Sequence, residues 1–366
     1  WEDFANSGLD SDGELLSAWL LKNSRLAANV PEEHSETAYM TNRAMDFMRE
    51  ARTDGRPWMC HMSYIKPHWP YIVPAPYHEM YDERHILPPV RSDMERETDH
   101  PLVRAYHNAR VCKSFSRDHL REHVIPAYMG LIKQLDDNLG RLLAWMDAEG
   151  FSENTIIAFT SDHGDYLGDH WMGDKDFYHE AAVKVPLIIA DPRPEADGTR
   201  GLVSDALVEM IDLPATFMQA LGCAPKPHVI EGRDLTSILH GKDGFSRRYV
   251  ISEHDYHWSE MAVALGQPQE EAHTTMIFDG RWKYIRCEGF RPVLWDLQND
   301  PDELVDLGAS EDPLCVKTRA RMEAALLKWA TRHHTRITAT PEVLARHGRH
   351  EQGGRPLRLV ELLLKR

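Results

Sequence analysis

The stretch FTSDHGDYLGDHWMGDK, Phe159 to Lys175, constrains the fold of this chain more than any other. It follows an apolar, β-branched run, Thr155 to Phe159 (TIIAF), which reads as a buried strand. It holds four aspartates, two histidines and three glycines before a single lysine. A second apolar run, Lys184 to Ala190 (KVPLIIA), reads as another strand. Ligands in open α/β sheets sit at the carboxyl ends of strands, so a strand emptying into this loop predicts an α/β sheet with a site at its edge.

The flanking segments fit that class. Glu36 to Arg52 predicts an amphipathic helix, with Tyr39, Met40, Ala44, Phe47 and Met48 near one face. Trp58 to Ile65 reads as a strand, and Lys66 to Tyr77 (KPHWPYIVPAPY), with four prolines, as a rigid loop. Residues 78 to 120 are charged and read as an irregular surface excursion. Val124 to Glu149 predicts a long core-facing helix stopped by Gly150. Asp212 with Pro214 opens a further helix that Gly222 closes. Beyond about residue 245 the texture changes. Tyr249–Ile251, Thr274–Phe278, Trp282–Arg286 and Val293–Asp296 predict short strands, Asp279-Gly280 a hairpin turn, and the region near Thr318–Arg332 a helix. The organisation expected is a core over 1–245 and a smaller antiparallel unit with a helix and a basic tail over 246–366.

Composition narrows the functions open to it. With 366 residues and a net charge of −16, the body of the chain is a poor nucleic-acid binder. No apolar run approaches the ~18 residues of a membrane span. The five cysteines are odd in number and form no C-x-x-C pair, which predicts reduced thiols and a cytoplasmic setting. From Thr331 to Arg366, eight Lys/Arg stand against three Asp/Glu, a tail of +5 whose Leu-rich end (359–366) is a candidate subunit contact. The chain begins with Trp1, so an upstream segment is expected.

Asp162 and His163 stand just past the end of a strand, where both reach one ion if the backbone turns sharply, a turn that Gly164 permits. A hard oxygen beside a borderline nitrogen suits Mn²⁺, Zn²⁺, Ca²⁺ or Mg²⁺ without choosing among them. An isolated SDHG also reads as an Asx turn or a helix cap. Lys175, thirteen residues after Asp162, and His68, in the proline-rich loop after another expected strand, are placed to converge on the same point. A lysine and a histidine there would hold the oxygens of a tetrahedral anion and protonate a leaving group.

The run FTSDHGDYLGDHWMGDKDFYHEAAVKVPLIIADP resembles the C-terminal metal motif of the formylglycine-dependent sulfatases and of the phosphonate monoester hydrolases, both in the alkaline phosphatase superfamily. YIKPHWPYIVPAPY resembles the family's substrate-histidine loop, MIDLPATFMQALG and EGRDLTSILHG the segments after the metal motif, and DGRWKYIR with LWDLQNDPDELVDL its C-terminal hairpin and signature. The similarity runs over about residues 15 to 335, and YIKPH and residues 333–336 lean towards the phosphonate monoester hydrolases. The resemblance implies an alkaline phosphatase-like, mostly parallel sheet with helices on both faces, incomplete at the N-terminus, plus the small antiparallel unit. It implies Asp162 and His163 as ligands of one divalent cation, with Mn²⁺ or Ca²⁺ expected, and Lys175 and His68 on the transferring group. His170, Tyr178, His179 and His254 are further pocket candidates without assigned roles. The implied activity is hydrolysis of small phosphonate monoesters, phosphodiesters or sulfate esters by a homo-oligomer, with a true sulfatase and a non-catalytic paralogue as alternatives. The family's nucleophile is a formylglycine made in a C/S-x-P-x-R motif, which is absent from residues 1–366. Cys223-Ala-Pro-Lys-Pro comes nearest but ends in proline and follows the metal motif, so the nucleophile and the remaining aspartate ligands are expected upstream of Trp1.

Overall fold

The computed structural model describes residues 23–223, 226, 229–257 and 259–333. The Leu-rich end and nearly all of the basic tail lie outside these residues. Helix α1 (Glu36–Asp54) is capped by the Ser35 side chain and ends on Gly55 at φ 67°. It buries Ala38, Thr41, Ala44, Met45 and Met48. Tyr39 and Phe47, expected on that face, point outward, because the buried stripe runs through Ala38, Thr41, Met45 and Met48 instead. Helix α1 packs on the long helix α5 (Asp118–Ala148), which starts at Asp118 rather than Val124. Ala44, Met45 and Met48 meet Leu142, Met146 and Phe151 in a common cluster.

Two sequence expectations fail in this region. Residues 78 to 120 are not a surface excursion. They hold α2 (Asp93–Arg96), α3 (Pro101–Asn108) and α4 (Arg110–Phe115), and they bury His100, Leu102, Tyr106, Cys112 and Phe115. Their charge misleads because the helices are short: α3 turns Leu102 and Tyr106 inward and α4 Cys112 and Phe115, while α2 buries none of its residues. Trp58 to Ile65 forms no ladder among the described residues, although its burial alternates residue by residue as in a strand.

Strands β1 (Ile157–Thr160) and β2 (Leu187–Ala190) pair antiparallel, Phe159 opposite Ile188. No parallel pair occurs among the described residues. Between the strands run the aspartate-rich loop and the short helix α6 (Glu180–Val183). After β2 come α7 (Asp212–Ala220), closed by Gly222 at φ 74° as the sequence predicts, and α8 (Thr236–Leu239).

The second sheet is β3 (Val250–Asp255), β4 (His273–Phe278), β5 (Trp282–Cys287) and β6 (Val293–Asp296), antiparallel in that order, with α9 (Glu260–Leu265) between β3 and β4. Asp279 accepts the backbone N–H groups of Arg281 and Trp282 to close the predicted hairpin. The period-2 alternation divides its side chains between two cores. Ile277, Tyr284 and Leu294 face Cys315, Met322 and Leu326 of α10 (Pro313–His333). Met276, Ile285, Val293 and Trp295 join Tyr166, Met172, Phe177 and Tyr178 of the aspartate-rich segment and Leu102 and Tyr106 of α3. The four-stranded sheet thus packs directly behind the motif loop. Its α/β mixture agrees with the class read from the sequence.

Candidate active site

The structure brings the four predicted site residues together. The Nζ of Lys175 lies 2.9 Å from Nε2 of His68, across 107 positions of chain. The His68 ring meets the His163 ring edge-on, with centroids 5.8 Å apart. The Nδ1–H of His68 donates to the Trp69 carbonyl at 2.9 Å, which leaves Nε2 to accept from the Lys175 ammonium.

Asp162 and His163 set two possible ligand atoms side by side. The Nδ1–H of His163 donates to the Gly164 carbonyl at 2.6 Å, fixing the tautomer with its lone pair on Nε2. That Nε2 lies 3.7 Å from Oδ2 of Asp162, a carboxylate 86% exposed. Two ligand atoms each about 2.1 Å from one ion stand roughly 3–4 Å apart, so the pair is spaced to share one. Gly164 serves differently from the sequence reading. Its φ is not left-handed. What matters is the missing Cβ, which would sit 1.9 Å from the Ala181 carbonyl oxygen. This close approach seats the Gly164 N–H on the Ala182 carbonyl at 2.8 Å and draws the loop against α6.

Residues not singled out from the sequence complete the site. The Tyr71 hydroxyl donates to Asp165 at 2.6 Å, tying the proline-rich loop to the motif loop. Burial lifts the Asp165 carboxyl to about 7 against the Tyr71 bond, with Asp174 adding repulsion. Asp174 stands 3.5 Å from the Lys175 ammonium. Asp176 is raised by burial and by Asp174, while His254, Lys175 and His163 oppose the rise. The acid-rich spacing of the motif signals these aspartates, but Tyr71 carries no signal beyond its proline-rich surroundings.

The other pocket candidates separate. His254, from β3, acts on Asp176 through its charge. Tyr178 is core, its hydroxyl donating to the Thr274 carbonyl at 2.9 Å. His170 and His179 are each 3% exposed and stack at 3.8 Å with planes 16° apart. With Glu95, 2.7 Å from Nδ1 of His170, they place possible ligand atoms within 4.8 Å of one another. Nearly parallel rings direct their in-plane lone pairs side by side rather than towards one point, so this trio suits a hydrogen-bonded clamp better than an ion. It clamps a strained turn: Leu167, His170, Trp171 and Asp174 all have φ between 45° and 60°. The Val90 carbonyl accepts from the His170 N–H, and the Ser92 carbonyl from the Trp171 indole, at 2.7 Å each.

The family model described as Sulfatase matches residues 7–223, and one described as N-sulphoglucosamine sulphohydrolase, C-terminal, matches 168–331. The multifunctional alkaline phosphatase superfamily protein PehA of Trinickia caryophylli is 29% identical over 325 residues, covering 84% of this chain and 62% of its own length. An arylsulfatase of Clostridium perfringens is 26% identical over 310 residues, covering 85% and 59%. Among solved structures, the phosphonate monoester hydrolase SpPMH of Silicibacter pomeroyi superposes with a TM-score of 0.76 at 26% identity, covering 94% of this chain and 68% of that one. The phosphonate monoester hydrolase of Agrobacterium radiobacter gives 0.74 at 27% identity, covering 84% and 63%. The chain therefore spans about six-tenths of the length of these curated relatives. No helix among the described residues is long and apolar enough to cross a membrane.

Proposed function

The chain belongs to the sulfatase family, and from that premise we propose that its protein hydrolyses small phosphonate monoesters, phosphodiesters or sulfate esters at the site around His68, Asp162, His163 and Lys175. The observation that carries this reading is the 2.9 Å contact between Lys175 and His68 beside the Asp162–His163 pair. It puts the Lys175 ammonium, and a His68 Nε2 able to take up and pass on a proton, next to a two-ligand cation site, an arrangement suited to a tetrahedral oxyanion.

Asp162 and Nε2 of His163 would hold a divalent cation, which when bound would supply Lewis-acid charge beside the transferring group. Lys175 keeps one proton on Nε2 of His68 and has others for the oxygens of the ester. Nε2 of His68 takes the proton held towards it by the Lys175 ammonium and passes it to the leaving oxygen, while its Nδ1–H bond to the Trp69 carbonyl supports the transient imidazolium; the neutral Lys175 amine regains a proton from solvent. The formylglycine nucleophile is expected outside residues 1–366, which contain no C/S-x-P-x-R motif.

The test separates the parts. In the full-length protein with Mn²⁺ supplied, about one ion should be retained, and Asp162→Ala should lose it, because the variant removes an anionic oxygen from the ligand set. The full-length gene product, with the upstream segment in frame, should turn over an aryl sulfate or an aryl phosphonate monoester. Unchanged metal content in Asp162→Ala, or no turnover of either ester, would overturn the assignment.

A further inference from the structure

We propose that Lys66 is a positioning residue for His68: its ammonium pins the carbonyls of His68 and Pro70 and thereby aims the His68 imidazole at Lys175. The inference deepens the function proposed above and rests on that site.

The loop after Ile65 is short of backbone donors. Pro67, Pro70, Pro74 and Pro76 have no N–H. Around His68, the backbone bonds are His68 N–H to the Ile65 carbonyl at 3.0 Å and Ile72 N–H to the Pro70 carbonyl at 2.9 Å. A partly buried carbonyl needs a donor, and the loop's own backbone offers few. Lys66 supplies them from its side chain. Its Nζ donates to the Pro70 carbonyl at 2.6 Å and to the His68 carbonyl at 3.2 Å. Two of its three protons are thus spent on the loop rather than offered to a ligand.

The position of those two bonds gives them their consequence. They fall on residues 68 and 70, so the Trp69 carbonyl between them is held on both sides. That carbonyl accepts the Nδ1–H of His68 at 2.9 Å. It therefore sets the tilt of the ring whose Nε2 meets Lys175 at 2.9 Å. Burial lowers the Lys66 pKa, while the Glu36 carboxylate at the start of α1 favours the charged form. An ammonium placed inside a loop at that cost is accounted for by the carbonyls it holds.

The test uses the full-length protein labelled with ¹³C-histidine, with the His68 ring signal assigned by its disappearance in His68→Ala. Lys66→Met, which keeps the stem and removes the donors, should move that signal towards the free-histidine position. Lys66→Arg should return it. An unmoved signal in Lys66→Met, with the chain folded by circular dichroism, would overturn the proposal whether or not the protein hydrolyses esters. If Lys66→Met does not fold, Lys66→Leu, which also removes the donors, takes its place with the same two outcomes. Inorganic sulfate binding by calorimetry provides the second reading. Lys66→Met should weaken it about 10-fold, the scale of one charge-assisted hydrogen bond, and should weaken it no further in a His68→Ala background. Losses that multiply in the double variant would show that Lys66 touches the anion itself, and would refute positioning. If the wild-type chain binds no sulfate, the ring signal alone decides, and the functional reading fails separately.

Discussion

Replacing Gly164 by alanine tests how the motif loop is built. A Cβ there would lie 1.9 Å from the Ala181 carbonyl oxygen and 3.0 Å from its carbon. Real Cβ contacts essentially never fall below 3.0 Å, so the loop and α6 must part by at least 1.1 Å, the difference between 3.0 and 1.9. The obstacle is backbone, which cannot swing aside as a side chain would. The 2.8 Å bond from Gly164 N–H to the Ala182 carbonyl would stretch beyond bonding distance. Overpacking of this kind costs about 1–3 kcal/mol and the lost bond about 1 more, so Gly164→Ala should destabilise by about 2–4 kcal/mol.

The direction of yielding predicts the effect on the site. Helix α6 is anchored: the Glu180 N–H donates to Glu303 at 2.6 Å, and Lys283 donates to the Tyr178 carbonyl at 2.9 Å. The motif loop must therefore move, and it carries His163 away from Asp162. Urea unfolding should report the loss of stability, and Mn²⁺ affinity should drop about 10–100-fold, as when a ligand's support is removed. A variant within 0.5 kcal/mol of wild type, with unaltered metal affinity, would refute the claim that close backbone approach at Gly164 places the ligand pair.

Two further outcomes follow from buried and catalytic groups. Burial, and then the charge of His170, push the His107 imidazole down to about 4, and its Nδ1 has no hydrogen-bond partner among the described residues. A depressed folded pKa means that the unfolded chain binds more protons between 6.5 and 4, so stability is full above 6.5 and is lost as pH falls; His107 alone should remove roughly 2 kcal/mol by pH 5. Urea midpoints at pH 7 and pH 5 measure the drop, which should be visibly smaller in His107→Gln; equal midpoints would contradict it. Lys175→Ala in the full-length protein should reduce turnover about 10²–10³-fold while leaving metal content intact, since the role proposed for its ammonium is to hold substrate oxygens rather than the ion. Wild-type kcat/KM would make it a surface charge.

What was legible in the sequence was whatever local periodicity or residue chemistry expresses. The strands of the second sheet and their hairpin follow from alternation and from Asp279-Gly280. The pairing of His68 with Lys175 was readable because each follows a rigid or strand-like element and carries a group with an obvious use at an anion. What depended on contact between distant segments was not legible. Charge on residues 78 to 120 hid their inward-facing Leu102, Tyr106 and Phe115. His170, Tyr178 and His179 resembled pocket residues because imidazoles and phenols look functional in a motif, yet all three are packed into the core. Tyr71 and Lys66 looked like ordinary loop residues, since their roles lie in a partner 94 positions away and in carbonyls that the sequence does not display.

In sequence the motif ends at Lys175, but its geometry is set more than a hundred residues later. Lys283, on β5, is 1% exposed, and its ammonium donates to the Tyr178 carbonyl and, at 2.7 Å, to Glu180, while pairing with Glu303 at 2.5 Å. Glu303, itself at φ 54°, accepts the Glu180 N–H in turn. Burying such charges is costly, and removing one partner of a buried pair typically costs about 3–5 kcal/mol, so the network is rigid wherever it persists. It grips residues 178 to 180, directly after Asp176 and Lys175, while the Tyr178 hydroxyl grips β4 through Thr274. On the other side of the same segment, Glu95 and Val90 hold His170 in its left-handed conformation. The loop that presents Asp162, His163 and Lys175 is therefore suspended between the residue 90–95 segment and the four-stranded sheet. A chain that kept the motif but lost either support would keep the ligands in its sequence without their convergence in space.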